Sequence, residues 1–278
     1  MWKISKKKRV LWWGILAVTV SIIAFVVHLF LSLPDVSDLK TQNPKKTALM
    51  EIRIEQAEKA GHEYSIRQSW ISFAHIPQIL KDTVRIAEDA GFYWHKGIDF
   101  DELKESIKKN LQEKKLARGG STITQQLAKN LYLSPKKSIV RKIKEYLIAK
   151  KLEKALSKDR IFELYLNVIE LGPGIFGVQE ASRYYFGFSV DELILEEIVR
   201  LVAVLPRPLT MDPRGDSPWL KWRCRWLLHK LLLYEYITEK TYREMIPSFQ
   251  DFTIKKPTRT SESSRDPSVR PLQLDNLP

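Results

Sequence analysis

The longest feature of the hydrophobic pattern runs from Val10 to Leu33. No position in it is charged, and only Thr19, Ser21, His28 and Ser32 are polar. About 20 apolar residues cross a bilayer as a helix, and this run exceeds that length. Ahead of it stand Lys3, Lys6, Lys7, Lys8 and Arg9. A cleaved signal peptide has a shorter apolar stretch, roughly 7–15 residues, and a small-x-small cleavage site. Neither is evident, so the run reads as a retained anchor. A buried core helix is the plainer alternative, but the basic flank and unbroken length argue against it. The positive-inside rule leaves the N-terminus in the cytoplasm and everything after Pro34 on the far side.

Beyond the anchor, Asp35 to about Tyr64 is polar with short helical possibilities and reads as a stalk. From Ile76 to about Ile246 the apolar spacing is helical almost throughout, with little strict alternation. Helices are predicted near 78–90, 100–116, 122–132, 138–156, 158–170, 176–186, 191–205 and 218–234. The tail from Lys255 holds four prolines among Ser, Thr and charged residues and reads as disordered. The expected organisation is a basic tail over 1–9, a transmembrane helix over 10–33 and a stalk over 34–71. One mainly α domain over 72–250 and a loose tail over 251–278 complete it.

Composition changes this picture in two ways. Lys and Arg number 46 against 33 Asp and Glu, a formal net charge of +13. Five of those charges flank the anchor, and the remaining excess suits anionic headgroups or a phosphate-bearing substrate. Topology argues against nucleic acid as the partner. The single cysteine, Cys224, excludes an internal disulfide framework and a Cys-based zinc site. The five histidines are scattered with no metal-ligand spacing.

Three constellations are candidates for chemistry. Glu88-Asp89 precede Gly91; with Pro77 at the first helical position and Gly91 just past the end, both carboxylates fall in the last turn of one helix. The negative end of the helix dipole disfavours an anion there, and that field with nearby aromatics raises a carboxylate's pKa toward that of a general base. An ordinary exposed acidic pair offset by Lys81 or Arg85 fits the same residues. Gly119-Gly120-Ser121-Thr122 leads into a helix whose Thr122, Gln126 and Lys129 share a face, a good anion cradle. A capped surface helix with solvated polar groups is the alternative. Arg141-Lys142-x-x-Glu145 gives an i,i+4 Arg–Glu pair: a weak surface pair, or a constrained carboxylate beside phosphate-binding cations.

Two further patterns carry less. Gly172-Pro173-Gly174-Ile175-Phe176-Gly177 satisfies a dinucleotide-type GxGxxG spacing, but a helical pattern precedes it, so it reads as a Gly-rich turn between helices. Trp219, Trp222 and Trp226 stand on one helical face beside arginines. Core packing is favoured for them over an interfacial membrane contact.

Taken together the motifs resemble the peptidoglycan glycosyltransferase domain, glycosyltransferase family 51, in its monofunctional membrane-anchored form. The residues that carry this are Glu88-Asp89-x-x-Phe92-x-x-His95-x-Gly97-x-Asp99, Gly119-Gly120-Ser121-Thr122-Ile123-Thr124-Gln125-Gln126-x-x-Lys129-Asn130 and Arg141-Lys142-x-x-Glu145. Ser157-Lys158-x-x-Ile161-x-Glu163-x-Tyr165-Leu166-Asn167, the glycine turn, Tyr185-Phe186-Gly187 and Leu205-Pro206-x-Pro208 follow in order.

The resemblance implies a lysozyme-like helical fold and processive polymerisation of lipid II. Glu88 would take the proton from the acceptor GlcNAc 4-hydroxyl, giving a β-1,4 link with inversion and releasing undecaprenyl pyrophosphate. Glu145 would be the second carboxylate, near the donor pyrophosphate. Arg118, Ser121, Lys129, Arg141 and Lys142 would hold phosphates, with Gly120, Thr122 and Lys137 in the same binding region. Gln125, Gln126 and Asn130 would contact sugars or order the loop. No cofactor is required by this reading, although a divalent cation (Mg or Mn) is compatible with it. Implied partners are lipid II, the nascent glycan strand, membrane lipids and other cell-wall synthesis proteins, at the inner membrane with the domain periplasmic.

Lys137 stands where many relatives carry Arg, Phe188 where Lys is common, and Glu197-Ile198-Val199-Arg200 where Glu-Ala-Ala is usual. A lysozyme-like glycan-cleaving enzyme is the rival activity, but it needs no phosphate-binding residues. A non-catalytic membrane-tethered scaffold is the other rival, against which the intact Glu88 and Glu145 argue.

Overall fold

The computed structural model describes residues 6–99, 104, 120–136 and 138–250. The expected helix over 100–116 and the tail over 251–278 lie outside the described residues.

The first helix, α1 (Lys6–Leu31), projects its apolar side chains outward, and Leu29 alone among the described side chains of that helix is buried. Its stretch Trp12–Leu31 has a mean hydropathy of 2.5. An apolar surface of this length is stable only with lipid around it, which is consistent with a membrane anchor. The polar interruptions are satisfied within the helix. Thr19 donates to the Ile15 carbonyl at 2.9 Å and Ser21 to that of Ala17 at 2.8 Å.

The remaining elements form one mostly helical body around a common core. In order they are α2 (Ala48–Lys59), α3 (Gln78–Glu88), α4 (Ile123–Tyr132) and α5 (Ile139–Ala155). Then come α6 (Lys158–Val168), α7 (Val178–Phe186), α8 (Leu195–Ala203), α9 (Pro218–Leu233) and α10 (Glu239–Met245). Hydroxyl residues start most of them. Thr47, Ser138, Ser157 and Ser217 each accept a backbone N–H from the first turn, satisfying donors that a helix cannot pair internally. Helix α4 is central: Ile123, Leu127, Ala128 and Leu131 are buried where it packs between α5, α6 and α2. Helix α3 packs on α8 and α9, so its C-terminal end points at the start of α4.

Two details of α3 differ from expectation. Pro77 is the N-cap residue rather than the first helical position. Gly91 does not adopt a left-handed conformation; the helix ends instead on Asp89, whose extended φ of −165° and buried side chain turn the chain. The glycine turn also differs. It is a short hairpin in a sheet ordered β1-β3-β2, made of β1 (Arg67–Gln68), β2 (Glu170–Gly172) and β3 (Ile175–Phe176). β3 runs antiparallel to β2 and parallel to β1, with Arg67 opposite Ile175. Gly177 then opens α7 at φ 80°, where a Cβ would sit 2.6 Å from the Asn167 carbonyl oxygen. Only glycine fits that close approach.

The segment expected as a stalk lies on the body. Lys151 Nζ donates to the Pro34 carbonyl at 2.6 Å. Arg160 donates to the Leu39 carbonyl at 2.8 Å, the Gln42 carbonyl at 3.0 Å and Asn43 Oδ1 at 2.8 Å, while pairing with Glu163 at 2.7 Å. Arg53 on α2 makes a two-pronged pair with Glu170 at 2.8 and 2.7 Å. The chain leaving the anchor is therefore fixed to α5 within three residues of the end of α1, and to α6 from Leu39 onward.

Replacing Arg160 with Ala should release residues 39–43, lower stability by about 1–3 kcal/mol for the lost charged hydrogen bonds, and open the segment to protease. Thermal unfolding and limited proteolysis of the detergent-solubilised protein check this.

Candidate functional site

The turn after α3 and the start of α4 are joined by one carboxylate. Asp89 is 2% exposed. It accepts from His95 Nε2 at 2.8 and 3.0 Å and from the Ile123 backbone N–H at 3.0 Å. That N–H is the first of α4 and has no partner within its own helix. The Gly97 N–H donates to His95 Nδ1 at 3.2 Å, so Nε2 carries the ring proton that reaches Asp89. Thr122 closes the knot. Its hydroxyl donates to the Gly97 carbonyl at 2.7 Å and accepts the Gln125 N–H at 3.2 Å, while its own N–H donates to Gln125 Oε1 at 3.1 Å. This is a capping box, and it directs Thr122 and Gln125 inward.

Glu88 follows from that anchoring. It is the last residue of α3, partly buried, and accepts from Gln126 Nε2 at 2.9 Å. The buried Tyr165 hydroxyl donates to Gln126 Oε1 at 3.3 Å, which aims the amide N–H at the carboxylate. Burial pushes the Glu88 carboxyl up. The Gln126 hydrogen bond and the charges of Arg223 and Lys129 oppose that rise, and the Asp89 charge adds to it. Desolvation is the largest of these effects. Burial also pulls the Lys129 ammonium down, against the attraction of Glu145 and Glu88.

Glu145 has the opposite environment. It is 2% exposed on α5 and takes Arg141 Nη1 at 2.7 Å on one oxygen and Lys142 Nζ at 2.5 Å on the other. Lys142 Nζ also donates to Ser121 Oγ at 2.8 Å, tying the glycine loop to α5. Arg141 Nε has no hydrogen-bond partner among the described residues. The outer face of this helical turn is apolar, with Ile139 81% exposed.

The structure therefore brings Ser121, Lys142, Arg141 and Glu145 into one group and Glu88, Gln126 and Tyr165 into another. Lys129 lies in the field of both. Gly120 leads into α4 half-buried, and Asn130 is buried on α4. Arg118 and Lys137 lie outside the described residues. The tryptophan stripe divides. Trp226 packs against the core under Arg223, Trp219 is half-buried under Arg207, and Trp222 is 46% exposed, so the favoured core reading holds for only part of it. Sequence reasoning missed Arg223, whose only signal was its place among those tryptophans. No group of three or more His, Cys, Asp or Glu able to hold a metal occurs among the described residues.

A family model described as Transglycosylase matches residues 55–232. A biosynthetic peptidoglycan transglycosylase of Nitrosospira multiformis is 42% identical over 189 residues, covering 68% of this chain and 82% of its own. One of Herminiimonas arsenicoxydans is 34% identical over 224 residues, covering 81% and 96%. Among solved structures, penicillin-binding protein 1A from Haemophilus influenzae aligns at 21% identity and a TM-score of 0.38, over 66% of this chain and 18% of that one.

Replacing Asp89 with Ala strands the His95 and Ile123 donors in a buried site and should cost roughly 2–4 kcal/mol. Asp89→Asn, which keeps one acceptor oxygen, should cost less. Urea unfolding in detergent measures both, and equal losses would contradict the two-donor account.

Proposed function

The chain belongs to the transglycosylase family, and on that footing we propose that it polymerises peptidoglycan glycan strands from lipid II with Glu88 as the general base. The observation that carries the assignment is the contrast between the two carboxylates. Glu88 is hydrogen-bonded to a neutral amide and raised by burial, whereas both Glu145 oxygens are occupied by cations. A base must accept a proton, and Glu88 is the group tuned for it.

In this reading the GlcNAc 4-hydroxyl of lipid II gives its proton to Glu88 as its oxygen attacks the anomeric carbon of the lipid-linked strand. The bond from that carbon to the pyrophosphate oxygen breaks, so one displacement inverts the centre and forms a β-1,4 link. Undecaprenyl pyrophosphate leaves with the bonding pair. Arg141, Lys142, Lys129 and Ser121 meet its phosphates, and Arg118 and Lys137 extend that binding region. Charge-assisted donors already fixed in place are the type of group that stabilises a developing anion. Glu145 acts by holding Arg141 and Lys142 in register. Thr122 and Gln125 shape the loop through the capping box, Gly120 lets backbone N–H groups face the anion, and Gln126 and Asn130 order the acceptor side.

Glu145, with a cation on each oxygen, does not fit a divalent metal as it stands. In this reading the basic residues ahead of the anchor keep the N-terminus in the cytoplasm, with the domain on the periplasmic face of the inner membrane. Membrane lipids and other cell-wall synthesis proteins are the remaining partners.

Glu88→Gln should lower polymer formation from labelled lipid II by about 100-fold or more, as read on a gel of glycan strands. A variant with near wild-type ladders would remove Glu88 from the mechanism. In the unaltered protein, activity should fall as pH drops through the raised Glu88 value, so the acid limb should lie above the usual glutamate range. An acid limb at or below that range would contradict the assignment.

A further inference from the structure

Arg223 is 6% exposed, an unusual position for a guanidinium, and belongs to none of the motifs that carry the family resemblance. It lies on α9, which packs against α3. Its Nη2 donates to the Ala87 carbonyl at 3.4 Å, and its Cζ lies 4.3 Å from the centre of the Trp226 ring. Ala87 immediately precedes Glu88. Its carbonyl is one of the last four of α3, the group that carries the negative end of the helix dipole.

We propose that Arg223 is a positioning residue for polymerisation, holding the last turn of α3 and presenting a fixed positive charge to the Glu88 carboxylate. This rests on the reading of Glu88 as the base. The ring of Trp226 supplies a flat, negatively polarised face that keeps the guanidinium in place while excluding water, so its charge is felt strongly. The other groups around Glu88 cannot substitute for it. From α4 come the neutral Gln126 amide and Lys129, whose ammonium is shared with Glu145. From α6 comes the Tyr165 hydroxyl, held neutral by burial. Asp89, on the same turn, pushes in the opposite direction. Helix α8 also packs on α3, but its Glu196 and Arg200 pair with each other at 3.0 Å.

A cation beside a carboxylate favours the ionised form, so removing it makes Glu88 harder to deprotonate. Activity of a base is lost as pH falls through its pKa, and the acid limb must then move to higher pH.

The test is a pH profile of kcat/KM for lipid II polymerisation by the full-length protein in detergent. Wild type, Arg223→Gln, Arg223→Lys and Glu88→Gln are compared, with thermal unfolding as a control for folding. Arg223→Gln should move the acid limb upward by about half a unit to one unit, with rates above the limb within a few-fold of wild type. Arg223→Lys, which keeps the charge, should return most of that shift. If Arg223→Gln does not fold, Trp226→Leu loosens the guanidinium and should move the limb the same way by less. An acid limb that stays in place, with activity lowered equally at every pH, would overturn the proposal and leave Arg223 a packing residue. Persistent polymerisation by Glu88→Gln with an unchanged limb would instead overturn the reading of Glu88 on which it rests.

Discussion

The buried Asp89 carboxylate is the contact on which the site depends. It ends α3 and accepts hydrogen bonds from His95 Nε2 and from the first N–H of α4, joining stretches of chain that are 34 residues apart. Glu88 is its neighbour in the chain, and Gln126 lies one turn into the helix that it anchors. The hydrogen bond from Gln126 to Glu88 therefore has its geometry set by Asp89. Thr122 and Gly97 reinforce the same junction from the opposite side. A buried carboxylate that accepts from two donors is stable only while both remain, so the junction forms as a unit.

That junction lets the fold place two glutamates in opposite electrostatic conditions. Glu145 sits between Arg141 and Lys142, and Lys142 reaches across to Ser121, so this end of the site is a lattice of fixed cations. Glu88 is desolvated and hydrogen-bonded to an amide, with Lys129 and Arg223 acting on it as charges. In the proposed reaction the first end meets an anion and the second takes a proton. Displacement of a pyrophosphate by a sugar hydroxyl needs both at once.

Much of this was legible in the sequence where the determinants are local. Helical spacing of apolar residues marked α4, α5, α6 and α9 to within a few residues, because that repeat is a local property of the chain. The Arg141–Glu145 pair was readable for the same reason, being one turn apart. What was not legible depends on tertiary placement. Nothing in the sequence tells Glu88 that Gln126 and Tyr165 will enclose it, or Lys142 that Ser121 will be 2.8 Å away. Strands of two or three residues are too short to show alternation, which is why the hairpin read as a turn. The polar composition of residues 34–71 suggested a stalk because backbone carbonyls, here those of Pro34, Leu39 and Gln42, leave no mark in a sequence. The tryptophan stripe misled in part because the Arg207 guanidinium stacks over Trp219 and lets that ring stay half-buried.

The central claim is that Glu88 is a carboxylate raised by burial and therefore able to act as the base. The direct measurement is a carbon-13 titration of glutamate carboxyls in the detergent-solubilised protein, with the Glu88 signal assigned by its absence in Glu88→Gln. The account predicts that this signal titrates clearly above the ordinary glutamate value of about 4.3. Titration at or below that value would contradict it.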